Sequence, residues 1–271
     1  MPATAAARSR SAAKVRAGGS FRMAAIDVGS NSLHMIVAQQ DADGSVTTLW
    51  RMKEMVGLGR MSFPSRRLSA AAMDAAIASL RRFQQAAQRR QCEKIVAVAT
   101  SAVPDAENGG DFIERVRSEL GLHTRVVSAR EEARLIYLGV RHEVDLRNSP
   151  NLIVDIGGGS VELIVADRHK PSLLESRKLG AARRTAKFIH SDPANAAEIK
   201  ALRKPYDKEL SPICKSILEM RSVRAIGTSG TLQSIAELCD TEHRGEHGRL
   251  ITRSALSKLL DKLEPSTSKQ R

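Results

Sequence analysis

"VDIGGGSVELIVA" at residues 154–166 and "IDVGSNSLHMIVA" at residues 26–38 follow one pattern, and that repetition decides the fold. In each, an apolar strand ends in Asp, turns through Gly and Ser, and returns as a second apolar strand. A shift of 128 residues lays Asp27 on Asp155, Gly29 on Gly157, Ser32 on Ser160, and Ile36-Val37-Ala38 on Ile164-Val165-Ala166. Both copies open the same coarse order of elements. The chain therefore reads as two α/β halves related by duplication and facing each other across a cleft.

Working outward, strands are expected over 23–28, 33–39 and 46–53, with Asp41-Ala42-Asp43-Gly44 as hairpin punctuation. Met73, Ile77, Leu80, Phe83 and Ala87 recur at helical spacing, and Ser69 is placed to cap that helix. A strand over 94–99, a helix over 111–120, a strand over 125–128 and a helix over 129–139 complete the first half. The order then restarts, with strands over 152–156, 161–167 and 172–179. Helices over 181–190 and 195–219, a strand over 224–226 and a helix after Gly230 follow. The expected organisation is a disordered basic tail over 1–22, a first domain over 23–138, and a second over 139–271 that is curtailed at its C-terminus.

The two turns invite chemistry. Glycine lets backbone N–H groups converge on an anion with no Cβ in the way. Gly29, Ser30, Asn31 and Ser32 in one copy, and Gly157, Gly158, Gly159 and Ser160 in the other, are candidate phosphate-binding residues. A tight hairpin also explains a single glycine, but three in a row exceed that need. Asp155 repels phosphate directly, so its carboxylate makes sense with Mg²⁺ between the two. Gly227, Thr228, Ser229 and Gly230 form a third loop at a helix start, where amides favour anions. Glu131-Glu132 opens a helix; alone, such a pair is a partner for the helix dipole. Glu162 alternates outward from its strand and would ordinarily be solvated. Together Glu132, Asp155 and Glu162 offer one base and two metal ligands.

Composition narrows the partners. The 271 residues carry a formal charge of +13, five units of it from Arg8, Arg10, Lys14, Arg16 and Arg22. Such a surplus attracts polyanions. No aromatic stacking motif or zinc finger points to nucleic acid, which ranks last. No apolar run is long enough to span a bilayer, so no membrane is expected. Cys92, Cys214 and Cys239 are scattered without metal-ligand spacing and read as buried reduced thiols of a cytoplasmic protein.

Five stretches, "AAIDVGSNSLHMIVA", "VVSAREEARLIYLGV", "NLIVDIGGGSVELIVAD", "ESRKLGAARRT" and "AIGTSGTLQSIAEL", together resemble the Ppx/GppA phosphatases. These are exopolyphosphatases and guanosine pentaphosphate phosphohydrolases. The resemblance runs in order from about residue 23 to 264. It implies the actin-like, ribonuclease H-like duplicated α/β fold, with two domains around a phosphate-binding cleft, in its short two-domain form. It further implies Glu132 as the catalytic base, Asp155 and Glu162 as acids tied to Mg²⁺ or another divalent cation, and the three loops as phosphate ligands. Arg183, from "LGAARRT", is a further candidate for phosphate. The implied substrates are inorganic polyphosphate or a hyperphosphorylated guanosine nucleotide, pppGpp; a homodimer stays open. Two departures stand out. "ATSAVPDAEN" has Pro104 where the family carries arginine, which removes a phosphate ligand and bends the loop. The chain also ends in "EPSTSKQR", some tens of residues before short relatives do. Both departures keep a non-catalytic polyanion binder in view, and an actin-like ATPase or sugar kinase shares the fold.

Overall fold

The computed structural model describes residues 20–222, 224–239, 244–245 and 248–271. Its first unit comprises β1 (Phe21–Val28), β2 (Ser32–Gln40), β3 (Val46–Met55), α1 (Leu58–Ser65), α2 (Ala70–Arg89), β4 (Lys94–Ala99), α3 (Ala102–Asp105), α4 (Gly109–Leu120) and β5 (Thr124–Val126). Then come α5 (Ala129–Glu143), β6 (Asn151–Ile156), β7 (Val161–Ala166), β8 (Pro171–Arg177), α6 (Ala181–Phe188), α7 (Ala196–Glu219), β9 (Ala225–Thr228), α8 (Ser229–Leu238) and α9 (Arg253–Leu263). The tail expected over 1–22 lies outside the described residues up to Gly19, and its last two residues, Phe21 and Arg22, already belong to β1.

Two sheets carry the duplication. The first has order β3-β2-β1-β4-β5 and the second β8-β7-β6-β9. In each, the first three strands in sequence form an antiparallel meander, and a later strand joins parallel to the strand that opened it. The second sheet thus reproduces four of the first sheet's five strands in the same order.

Alternation explains which faces are buried. Ala24, Ile26 and Val28 on β1, with Leu33, Met35 and Val37 on β2, turn one face of the first sheet inward. That face packs with Met73, Ala76, Ile77, Leu80 and Phe83 of α2 in one apolar cluster. Ser69 caps α2 by accepting from the Ala72 N–H. The second sheet is covered on both faces, so every residue of β7 is buried. Ile153, Ile164 and Ala166 meet Ala133, Tyr137 and Val140 of α5, while Val161, Leu163 and Val165 meet Ile213 and Ile217 of α7. A domain boundary between residues 138 and 139 would therefore cut α5, whose buried stripe belongs whole to the second unit. The junction lies instead before Ser128, the residue that caps α5.

Three helices were not legible in the sequence: α1, α3 and α9. Pro104 sits, exposed, inside the single turn of α3, where a missing N–H costs nothing. The bend expected of that proline is this helical turn. No helix among the described residues is long and apolar enough to cross a membrane.

Candidate active site

The duplicated hairpins bring their turns together where the two units meet. Strands β1 and β4 are parallel, as are β6 and β9, and the residues that follow their C-terminal ends are Gly29-Ser30-Asn31, Thr100-Ser101, Gly157–Ser160 and Ser229-Gly230. Clefts outside the carboxyl ends of such strands are the usual binding position in α/β folds.

These turns touch each other. A Cβ on Gly159 would lie 2.2 Å from Ser101 Oγ and 2.6 Å from Ser30 Oγ, and one on Gly158 would lie 3.2 Å from Asn31 Cβ. The glycines therefore let the halves abut, and only backbone fits between them. Behind the turn, Ala181 N–H donates to the Gly157 carbonyl, Arg183 N–H to Gly158 and Gly180 N–H to Gly159. The start of α6 so occupies all three glycine carbonyls. The N–H groups of Gly158, Gly159 and Ser160 donate to no backbone carbonyl among the described residues. Ser30 is only 5% exposed and shares a 2.5 Å hydrogen bond with Ser101, while Ser32 shares one of 2.8 Å with His34 Nε2. Both serine hydroxyls are thus engaged within the first unit.

Across the second sheet one row of four side chains shares a face. Asp155 stands opposite Glu162 on β7 and Thr228 on β9, and Glu162 stands opposite Ser176 on β8. Thr228 Oγ1 donates to Asp155 Oδ2, and Ser176 Oγ donates to Glu162 Oε1 at 2.7 Å. Two adjacent carboxylates are thus flanked by two hydroxyl donors. Glu162 is 1% exposed, contrary to the solvated position expected of it. Strand alternation alone could not reveal that α5 covers this face. The apolar row Leu174–Ile164–Ile153–Ile226, two residues back along the strands, carries α5, whose first turn then overhangs the polar row.

That first turn separates the two glutamates. Glu131 turns outward to Arg125, 2.5 Å away. Glu132 turns inward, where Thr100 donates to it and where the charges of Glu162, Asp27 and Asp155 all act on it. Burial, reinforced by these like charges, pushes Glu132 up to about 8. Burial pushes Glu162 up to about 7 against the hydroxyls of Ser176 and Ser160. Asp155 is raised by burial despite Thr228. Asp27 is raised to about 6, by burial and then by Asp155. Asp27 was not among the site residues read from sequence, although the 128-residue offset that superposes it on Asp155 was a sufficient signal.

Four carboxyls without a countercharge make a strained electrostatic arrangement. Asp27 Oδ1 is buried with no hydrogen-bond partner among the described residues. All donors are hard oxygens, which suits a divalent cation. No three acidic, His or Cys side chains among the described residues converge to enclose an ion. A pair of adjacent carboxylates is a donor set that fits a divalent cation held by one or two protein ligands. Asp155 and Glu162 are the residues able to hold it.

Arg183, expected as a phosphate ligand, pairs with Asp105 of α3, donates to the Gly159 carbonyl at 2.7 Å, and lies over the Phe63 ring at 3.9 Å. Lys178 joins the same aspartate at 2.6 Å. These basic groups bridge the two units. In the third loop, Ser229 adopts φ 81°, its hydroxyl donates to the Ile156 carbonyl, and the hydroxyl of Thr228 serves Asp155 and caps no helix N–H.

Comparison with known proteins places this geometry. Residues 36–271 match the model of the Ppx/GppA phosphatase family. Exopolyphosphatase 1 of Mycobacterium tuberculosis is 33% identical over 219 residues, covering 80% of this chain and 64% of that protein. The chain thus spans a little under two thirds of the length of that relative. Among solved structures, an exopolyphosphatase from Cytophaga hutchinsonii superposes with a TM-score of 0.85 at 28% identity, over 92% of this chain and 82% of that one. The Ppx/GppA family member of Aquifex aeolicus gives 0.72 at 27% identity, over 93% and 82%. The fold is the duplicated, actin-like α/β fold.

Proposed function

From the premise that this chain belongs to the Ppx/GppA phosphatase family, we propose that its cleft releases terminal phosphate from inorganic polyphosphate with the help of a divalent cation. One observation carries the reading: the charges of Asp155 and Glu162 act on the buried Glu132, and in the nearby glycine turn the N–H groups of Gly158, Gly159 and Ser160 donate to no backbone carbonyl among the described residues. A base, an anionic pair and an anion-receiving turn are the parts that phosphoanhydride hydrolysis needs.

In this mechanism the N–H groups of Gly158, Gly159 and Ser160 hold oxygens of the terminal phosphate. Asp155 and Glu162, oriented by the hydroxyls of Thr228 and Ser176, would hold the cation. When bound, the cation supplies positive charge beside the phosphate oxygens. Glu132, oriented by Thr100, accepts a proton from water. The water oxygen bonds to phosphorus, and the bridging P–O bond breaks with its electron pair leaving on the shortened chain. In the bare protein a Glu132 raised to about 8 is mostly protonated at pH 7. A cation held by Asp155 and Glu162 would offset two of the like charges that add to burial in raising Glu132.

The test is phosphate release from purified protein offered polyphosphate and pppGpp in parallel, with Mg²⁺ or with EDTA. Release from polyphosphate that needs Mg²⁺ is the expected result. Release from pppGpp alone would move the substrate to the nucleotide. ADP formed from ATP would overturn the phosphatase reading.

A further inference from the structure

The cleft holds four carboxyls, yet its proposed substrate is a polyanion, so cations must meet the phosphate oxygens that the turns do not reach. Position 104 is proline, which offers no donor, and Arg183 and Lys178 are taken by Asp105. Lys53 is differently placed. It is exposed and makes no ion pair or hydrogen bond among the described residues. In the first sheet it stands opposite His34, which stands opposite Asp27, so all three share one face of that sheet. Under the 128-residue offset His34 falls on Glu162. The row Lys53–His34–Asp27 is therefore the first unit's version of Ser176–Glu162–Asp155, with a cationic or neutral group in place of the outer acid. Lys53 also crosses to the other unit: its Nζ lies 3.0 Å from where a Cβ on Gly230 would stand, at the first turn of α8. That turn has no side-chain cap, because Thr228 gives its hydroxyl to Asp155.

We propose that Lys53 is a substrate-holding residue, donating across the cleft to a non-terminal phosphate of the chain in concert with the first-turn N–H groups of α8. Glycine at 230 is what leaves room for the ammonium group. Any side chain there would displace Lys53 Nζ or the phosphate it holds. The assignment rests on the phosphohydrolase reading for its substrate, but binding alone is enough to test it.

The experiment is calorimetric titration of inorganic tripolyphosphate into wild type, Lys53→Met and Lys53→Arg, with phosphate release from polyphosphate measured on the same samples. Lys53→Met keeps the length and apolar stem and removes the charge. Its affinity should fall about 10- to 100-fold, the span of one charge-assisted hydrogen bond. Lys53→Arg should bind within about threefold of wild type, since its charge and reach remain. If the proteins turn over, the methionine variant should raise KM and change kcat little. Equal binding by wild type and Lys53→Met overturns the assignment, as does a loss that arginine does not restore, or no binding by wild type. Binding that depends on Lys53 in a protein that releases no phosphate would sustain the assignment and sink the hydrolase reading.

Discussion

Asp155 and Glu162 face each other directly across β6 and β7, and each receives a hydroxyl from the strand beyond it, Thr228 for one and Ser176 for the other. Two acids side by side in a buried sheet are costly unless something neutralises them. The donors fix both carboxylates in one orientation without supplying charge. Burial raises both acids despite those donors, so the row carries unneutralised carboxyls in the folded protein.

The stability of the protein should record that missing charge. Asp27, Glu162 and Glu132 are raised to about 6, 7 and 8, above their unfolded values. Between the unfolded and folded values the folded state binds more protons, so their contribution to stability is present at low pH and lost as pH rises. The window is about pH 4.5 to 8. In EDTA, Glu132→Gln should gain melting temperature relative to wild type as pH rises from 5 to 8, because it carries no proton to lose. Mg²⁺ should stabilise wild type more at pH 8 than at pH 5. A difference that does not vary with pH would contradict the clustering of these groups.

The bridge between the units gives a second measurement. Arg183 and Asp105 are 17% and 20% exposed, so solvent screens their pairing only partly. A double-mutant cycle with Arg183→Gln and Asp105→Asn should return a coupling of about 0.5–3 kcal/mol in chemical denaturation. A coupling near zero would mean that Phe63 and the Gly159 carbonyl alone account for the arginine.

Two glycines test how closely the turns abut. A Cβ on Gly180 would lie 2.3 Å from the backbone carbon of Gly159, while one on Gly110 meets nothing within 4 Å. Gly180→Ala should destabilise by about 1–3 kcal/mol, the usual cost of overpacking. Gly110→Ala, within α4, should instead stabilise by about 0.5–1 kcal/mol. Equal effects in denaturant titrations would show that the glycine turn has slack.

Much of this was legible in the sequence, and what escaped has physical reasons. The hairpins β1–β2 and β6–β7 and the long helices α2 and α7 announce themselves by period, cap and repetition. Helix α1 follows Gly57 in a left-handed conformation with no side-chain cap, and α3 is a single turn, so neither carries a local signal. Glu162 looked solvated because alternation tells which face a residue shares but not what covers that face. Arg183 is a cation in the motif "LGAARRT", yet its partner Asp105 lies 78 residues away and is brought to it by α1, which packs against both α3 and α6. Asp27 is the counterpart of Asp155 under the 128-residue offset, but its burial beside Asp155 follows only from the packing of the two units. Lys53 gave no signal, since its place depends on β-sheet register and on Gly230 of the other unit.

The role of Glu132 is the centre of the mechanism, and one comparison tests it most directly: phosphate release from polyphosphate in saturating Mg²⁺ by wild type, Glu132→Gln and Glu131→Gln. Gln keeps the shape but cannot take a proton, so Glu132→Gln should lose about 10²–10⁴ in kcat. It should bind tripolyphosphate as well as wild type does. Glu131→Gln, which only releases Arg125, should stay close to wild type. Wild-type turnover by Glu132→Gln, or a loss confined to Glu131→Gln, would contradict the assignment of the base.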